Sequence, residues 1–348
     1  MTYSRLGAAH RVLVSSAAAV VLIAACGEEP TSSSAPTTSI SPVPALPTAF
    51  LFDGSWTVKA PIPTVRGGMA AAVVQNSSGQ SLFYTIGGAN QNNVAMRRVE
   101  AYNAATDKWF RKANLPVDRT SATAATIGGK IYVAGGSNLN RVITKTLYVY
   151  DPVSNTWTQK ASMPFAQQSL ISGAIAGRLY VYTGSFTEVP RLYRYKPSTN
   201  VWTRRADPPH DHAFGIGGVI DGKLYLAWGR TDAVDVYDPV TDSWETVRPE
   251  TPDSECIDCR IFAAGGTAFR GQLYSIGGIS DDEEAGVHAF DPVTNQWGQK
   301  ANMNFDRERP VAGTVRNAAG QSRILVVGGS ISVDGGSEVV AATEMYKP

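Results

Sequence analysis

Three observations predict an all-β chain folded as a six-bladed β-propeller. Six tryptophans, Trp56, Trp109, Trp157, Trp202, Trp244 and Trp297, recur at intervals of 42 to 53 residues. Each sits in a near-copy of one segment, and self-similarity at about that period marks a repeat architecture. An aromatic stands seven positions before five of them, at Tyr102, Tyr150, Tyr195, Tyr237 and Phe290. A glycine pair, or Thr-Gly and Trp-Gly in two copies, closes a strand at 87–88, 135–136, 183–184, 228–229, 277–278 and 328–329.

The elements of one repeat follow in order. The first strand is rich in small residues (Ala70-Ala71-Ala72, Gly217-Gly218, Ala263-Ala264-Gly265-Gly266), as expected where blades converge on an axis. The second alternates, as in Lys130-Ile131-Tyr132-Val133 and Lys223-Leu224-Tyr225-Leu226, which is a strand pattern. Between the third and fourth stand Asp151-Pro152, Asp238-Pro239 and Asp291-Pro292, where Asp and Pro suit the first two positions of a type I turn. Trp56 precedes the first innermost strand, and Tyr346 has no tryptophan after it. The N-terminal strand is therefore expected to complete the last blade and remove the ring's open edges.

The segment before the repeats reads differently. Residues 1–25 carry Arg5 and Arg11 and then an apolar run from Val12 to Ala25, the form of a secretory signal. That run is shorter than the roughly 20 apolar residues of a membrane-spanning helix. It ends in Leu22-Ile23-Ala24-Ala25-Cys26-Gly27, which resembles the bacterial lipobox. The resemblance implies cleavage before Cys26, acylation there, and a membrane anchor; the alternative is an ordinary signal with a chance cysteine. Gly27 is not the aspartate of an inner-membrane retention signal, so the outer membrane or cell surface is favoured. Residues 26–50, rich in Ser, Thr and Pro, read as a tether that cannot bury enough apolar surface to fold. The propeller is expected over 51–348. Removing the signal leaves 29 basic against 30 acidic residues, a balance that does not form a nucleic-acid footprint. A monomer without a cofactor is expected.

A glycine pair followed by spaced Tyr and Trp, in six consistent registers over roughly residues 52–348, resembles the kelch family. The third and fourth copies depart at Thr183-Gly184 and Trp228-Gly229. The Tyr and Trp columns are expected to be blade-to-blade core.

Alternating strand direction places the loop into the first strand on the same face as the loop between the second and third. From the second glycine to the third-strand aromatic there are 14, 14, 11, 8, 12 and 17 residues, while the opposite face carries uniform turns. Variation on one face assigns binding to it. Arg66, Arg119, Gln167, His212, Arg260 and Arg307 stand at corresponding positions before the innermost strands. Four guanidiniums around one opening would form a site for carboxylate or phosphate, and the resemblance implies the same, since kelch adaptors grip acidic peptides with arginines in this column. The other reading is that these side chains cap strand ends or pair with acids such as Asp118, Asp306 and Glu308.

Other candidate groups lie on the same face. Cys256 and Cys259 lie in a six-residue insertion before Arg260, and two nearby cysteines in an exported chain are expected to form a disulfide. With no second pair and no following histidine, tetrahedral zinc is not expected. His210-Asp211-His212 is a weak ligand set, with His288 on another blade. Asp281-Asp282-Glu283-Glu284 lacks EF-hand spacing and reads as a solvated acidic loop. No metal site is assigned.

The fold hosts both enzymes and binding modules. Galactose-oxidase-like chemistry needs a histidine and tyrosine copper set that three remaining histidines do not fit. No nucleophile–base constellation stands out, so the expected function is a non-catalytic module for an anionic glycan or acidic peptide. The alternative is an enzyme resembling a sialic-acid mutarotase, with the arginines holding a carboxylate and Glu188, His212 or the 281–284 acids moving the proton.

Overall fold

The structure is a computed structural model that describes residues 53–184, 189–249, 261–280, 286–333 and 336–348. Six four-stranded antiparallel sheets form six blades. Blade 1 is Ala70–Gln75, Ser81–Ile86, Val99–Asn103 and Lys108–Arg111; blade 2 is Thr123–Ile127, Lys130–Ala134, Leu147–Asp151 and Thr156–Lys160. Blade 3 is Ile171–Ile175, Arg178–Thr183, Arg191–Lys196 and Val201–Arg204; blade 4 is Ile216–Ile220, Lys223–Ala227, Val234–Asp238 and Ser243–Val247. Blade 5 is Gly265–Phe269, Gln272–Ile276, Val287–Asp291 and Gln296–Lys300. Blade 6 takes Val311–Arg316, Ser322–Val327 and Thr343–Lys347 from the end of the propeller and its outermost strand, Ser55–Val58, from the beginning. The closing register places Trp56 opposite Tyr346. Inner strands of neighbouring blades touch all round the ring, blade 6 to blade 1 included.

The core lies between blades. The alternation read in Lys130-Ile131-Tyr132-Val133 separates two buried faces rather than a buried and a wet one. Ile131 packs on Tyr84, Ile86 and Val99 of blade 1, while Tyr132 packs with Leu179, Val181 and Tyr195 of blade 3. Small inner residues follow from convergence on the axis: a side chain at Gly217 would collide with Ile171 of the preceding blade.

The Tyr and Trp columns clasp one blade to the next. The indole Nε1 of Trp56, Trp109, Trp157, Trp202 and Trp244 donates to the carbonyl of Ala301, Ala60, Ala113, Ala161 and Ala206 at 2.7–2.9 Å. Two residues before four of these tryptophans, Asp107, Asn155, Asn200 and Asp242 sit at positive φ, between 54° and 56°. Their Oδ1 accepts the hydroxyl of Tyr102, Tyr150, Tyr195 or Tyr237 at 2.6–2.7 Å. The same oxygen accepts the backbone N–H of Ala60, Ala113, Ala161 or Ala206. Short polar side chains tolerate the left-handed region, so one residue makes the turn and ties two blades. Blade 5 departs from this scheme. Phe290 has no hydroxyl, Arg248 replaces the alanine, and Trp297 instead stacks on Trp228 at 4.6 Å with its Nε1 unpartnered.

Candidate functional site

The expected arginine opening takes another form. The inner strands begin four residues beyond Arg66, Arg119, Gln167, His212 and Arg307, and these side chains run into their own blades. Arg66 is fully buried: Nη1 donates to Glu100 Oε2 at 2.5 Å and to the Thr64 carbonyl, Nε to the Gly87 carbonyl, and Nη2 to Thr85 Oγ1. Arg307 Nη2 meets Glu344 Oε2 at 2.7 Å with neither side chain reaching solvent. Arg119 donates to Thr144 Oγ1 and Thr146 Oγ1 at 2.6 and 2.8 Å. His212 places Nδ1 3.0 Å from the Trp228 carbonyl and Nε2 3.1 Å from Asp235 Oδ2. Gln167 is half-buried, its Oε1 accepting the Gln168 N–H.

Glu100, Asp235 and Glu344 each stand two residues before the third-strand aromatic of their blade. A buried carboxylate there requires hydrogen-bond donors, and the position before the inner strand supplies them as Arg66, His212 and Arg307. Burial lowers the pKa of Arg66 and Arg307, with Glu100 and Glu344 opposing it. Burial also works against an ionised Asp235, but hydrogen bonds from His212, Thr246 and His210 outweigh it and hold its carboxyl below the usual range. His210 Nδ1 lies 3.0 Å from Asp235 Oδ1. The four described members of this column that carry a cationic or imidazole side chain therefore face inward rather than toward an opening. Arg260, Cys26, Cys256, Cys259, Glu188 and the 281–284 acids lie outside the described residues. Among the described residues, no group of three or more His, Cys, Asp or Glu side chains is placed to hold a metal.

The residues around the axis stand just beyond: Gly68, Ser121, Ser169, Phe214 and Arg309 two positions further on and Ala263 three beyond Arg260, all at φ between 52° and 62°. The backbone N–H of Ser121 donates to Gly68 O, Ser169 to Ser121 O, Ala263 to Phe214 O and Arg309 to Ala263 O, at 2.6–2.9 Å. This circlet rims an axial funnel of about 360 Å³, beneath which a channel of about 210 Å³ passes between the inner strands.

An off-axis groove of about 480 Å³ shares Gly68, Ser121, Gln168 and Arg309 with the funnel. Two loops of one design wall it. Asn90 Oδ1 accepts the N–H groups of Asn92 and Val94, and Asn138 Oδ1 those of Asn140 and Val142, at 2.9–3.1 Å. The third wall is a hairpin, Ser330–Val333 with Gly336–Val339. Gln91 grips it, Nε2 donating to Ser337 O at 2.8 Å and Oε1 accepting Val339 N–H at 2.7 Å. Arg141 and Arg309 line the groove, both exposed, and neither guanidinium has a hydrogen-bond or ion-pair partner among the described residues. Glu308, half-buried, is the groove's carboxylate and accepts from Ser332 Oγ at 3.3 Å.

Residues 53–211 match a family model described as the KLHDC2/KLHL20/DRC7 Kelch-repeats domain, and residues 260–304 match the Kelch motif. The chain is a six-bladed β-propeller that carries kelch-repeat sequence over residues 53–211 and 260–304. A solved structure titled "Structure of YjhT" is similar in fold, with a TM-score of 0.64 and 17% identity over 82% of this chain and 95% of that one. No curated protein sequence matches the chain.

Arg309 lies just beyond the matched Kelch motif, and nothing in composition marks its column. Ser121, Phe214 and Ala263 are ordinary residues at an unusual φ. Arg141 had a readable signal: Asn90-Gln91-Asn92-Asn93-Val94 and Asn138-Leu139-Asn140-Arg141-Val142 are twin Asn-initiated turns.

Proposed function

We propose that this kelch propeller is a binding module whose variable face takes an anionic glycan or acidic peptide in the groove beside the axial funnel. One observation carries the reading: two guanidiniums, Arg141 and Arg309, line a preformed groove and have no protein acceptor among the described residues. Arginine in such a setting binds carboxylate in bidentate fashion. The module is held at the bacterial cell envelope, on the outer membrane or cell surface, by acylated Cys26, with 26–50 as its tether. The test is a thermal-shift screen of the purified protein against sugar acids, phosphosugars and acidic peptides. A rise in melting temperature with one of them, lost in Arg309→Ala, supports the module; no shift with any of them counts against it. Incorporation of labelled palmitate, abolished by Cys26→Ala, tests the anchor.

The placement of Glu308 favours a second reading, mutarotase-like turnover of a sugar acid. A carboxylate in the same groove as two guanidiniums is positioned to move a proton while they hold the anion. Faster anomer exchange of sialic acid by NMR, lost in Glu308→Gln, would select that reading; no acceleration would leave binding alone.

A further inference from the structure

The geometry points to a carboxylate-bearing oligosaccharide, a uronate-type chain, as the ligand of the groove between blades 6, 1 and 2; the inference rests on the binding-module reading above. The groove is biased toward donors. Asn90 and Asn138 each commit Oδ1 to two backbone N–H groups of their own loop. An amide so fixed cannot flip, and only its Nδ2 remains as a donor. Arg141 and Arg309 add two guanidiniums, against the single carboxylate of Glu308. A ligand that complements this lining must supply acceptors and negative charge together.

Between the charged positions the lining is hydroxyl and amide, with Thr120, Ser121, Ser137, Asn93 and Gln168. Hydroxyls and amides both donate and accept, which matches the vicinal hydroxyls of a sugar. Arg309 stands where groove and funnel join, whereas Arg141 belongs to the groove alone. Two separate cationic positions suit a chain with repeated carboxylates better than a single sugar acid, and 480 Å³ falls within the range of pockets that enclose larger ligands. The walls are held by hydrogen bonds of their own, which lowers the ordering cost that binding puts on the protein.

A peptide is disfavoured by the same geometry. Extended peptides commonly dock by adding a strand to a free sheet edge. Here the groove-side edge of the hairpin is occupied: Gln91 takes both Ser337 O and Val339 N–H.

The experiment is calorimetric titration of the purified protein with four-residue oligogalacturonate and oligomannuronate, their methyl esters, and a tetraglutamate peptide. At least one uronate is expected to bind, with its ester at least tenfold weaker because the hydroxyls remain while the charge is gone. Arg141→Ala and Arg309→Ala are each expected to weaken that binding about tenfold with an unchanged melting temperature. Esters that bind as well as the acids would overturn the proposal, as would binding of neither uronate. Binding of tetraglutamate without either uronate would also overturn it, yet would leave the binding-module reading standing.

Discussion

Arg307 and Glu344 form an ion pair at 2.7 Å with both side chains shut away from water. Arg66 and Glu100 repeat it at 2.5 Å in blade 1. Removing one partner of a buried pair strands the other charge in a medium that cannot solvate it, which costs about 3–5 kcal/mol. Glu344→Ala is expected to lose that much in denaturant titration. Arg307→Met combined with Glu344→Leu is expected to recover most of it, because no charge is then left behind. A single variant as stable as the parent would show that the pair contributes nothing.

The two arginine columns should separate in experiment. Arg66→Ala and Arg119→Ala are expected to destabilise the fold, since their partners Glu100, Thr144 and Thr146 lose donors inside the blade. Arg309→Ala removes a side chain without a partner, and its stability should stay within about 0.5 kcal/mol of the parent. Paired unfolding curves decide this. Equal losses for Arg66 and Arg309 would erase the distinction between an inward and an outward column.

The tryptophan clasps offer an internal control. Trp157 donates to the Ala113 carbonyl at 2.9 Å, whereas the Trp297 nitrogen has no acceptor. Replacing either with phenylalanine trims a similar volume, but only Trp157→Phe strands a carbonyl. The Trp157 variant is therefore expected to lose about 1 kcal/mol more than the Trp297 variant, as measured by chemical denaturation.

Acid stability should depend on the turn aspartates. Burial works against an ionised Asp107, but the Tyr102 hydroxyl, the Ala60 N–H and Lys59 outweigh it, leaving its carboxyl below the usual range. A depressed folded-state pKa adds stability that is present above the unfolded value of about 3.9 and is lost as pH falls through the folded value. Asp107→Asn keeps the acceptor oxygen, as Asn155 does in the next blade, and removes the titration. Its stability is expected to fall less steeply below about pH 4 than the parent's. An unchanged slope in a series of pH-dependent unfolding curves would mean that Asp107 titrates alike in both states.

Gly135 has φ 64°, and a side chain there would run into Leu170 and the Gln167 carbonyl. Gly135→Val combines a left-handed β-branched residue with overpacking, together about 3 kcal/mol. A melting temperature equal to the parent's would contradict the close approach of blades 2 and 3 at that glycine.

The repeats were legible because each column is enforced by a contact that recurs. Trp109 and Trp157 meet the corresponding alanine carbonyls, of Ala60 and Ala113, in successive blades, so one copy explains the next. The strand from 55 to 58 was readable from a surplus tryptophan and a missing one. The site was less so. The arginine column is conspicuous in the sequence, which leaves an anion opening and internal pairing both open; Arg66 and Arg307 meet buried Glu100 and Glu344, and Arg119 meets Thr144 and Thr146. Glu100 and Glu344 carried the correction, two residues before Tyr102 and Tyr346, but third-strand residues show no sign in composition of which blade face they take. Arg309 and Arg141 owe their position to single backbone dihedrals, which ordinary residues do not announce.

The pairing of Trp56 with Tyr346 also sets an order of events during synthesis. The strand from 55 to 58 leaves the ribosome before every other blade segment and must remain unpaired until residues 343–347 emerge. Loops this long close slowly. Through that interval, five blades can assemble while Trp56 and Asp53 still lack the partners that Ala301 and Tyr346 later provide. A chain halted shortly before 343 would lose the strand that joins 55–58 to blade 6, and would expose the edge of Ser322–Val327 and the unpaired 55–58 segment to any other strand nearby.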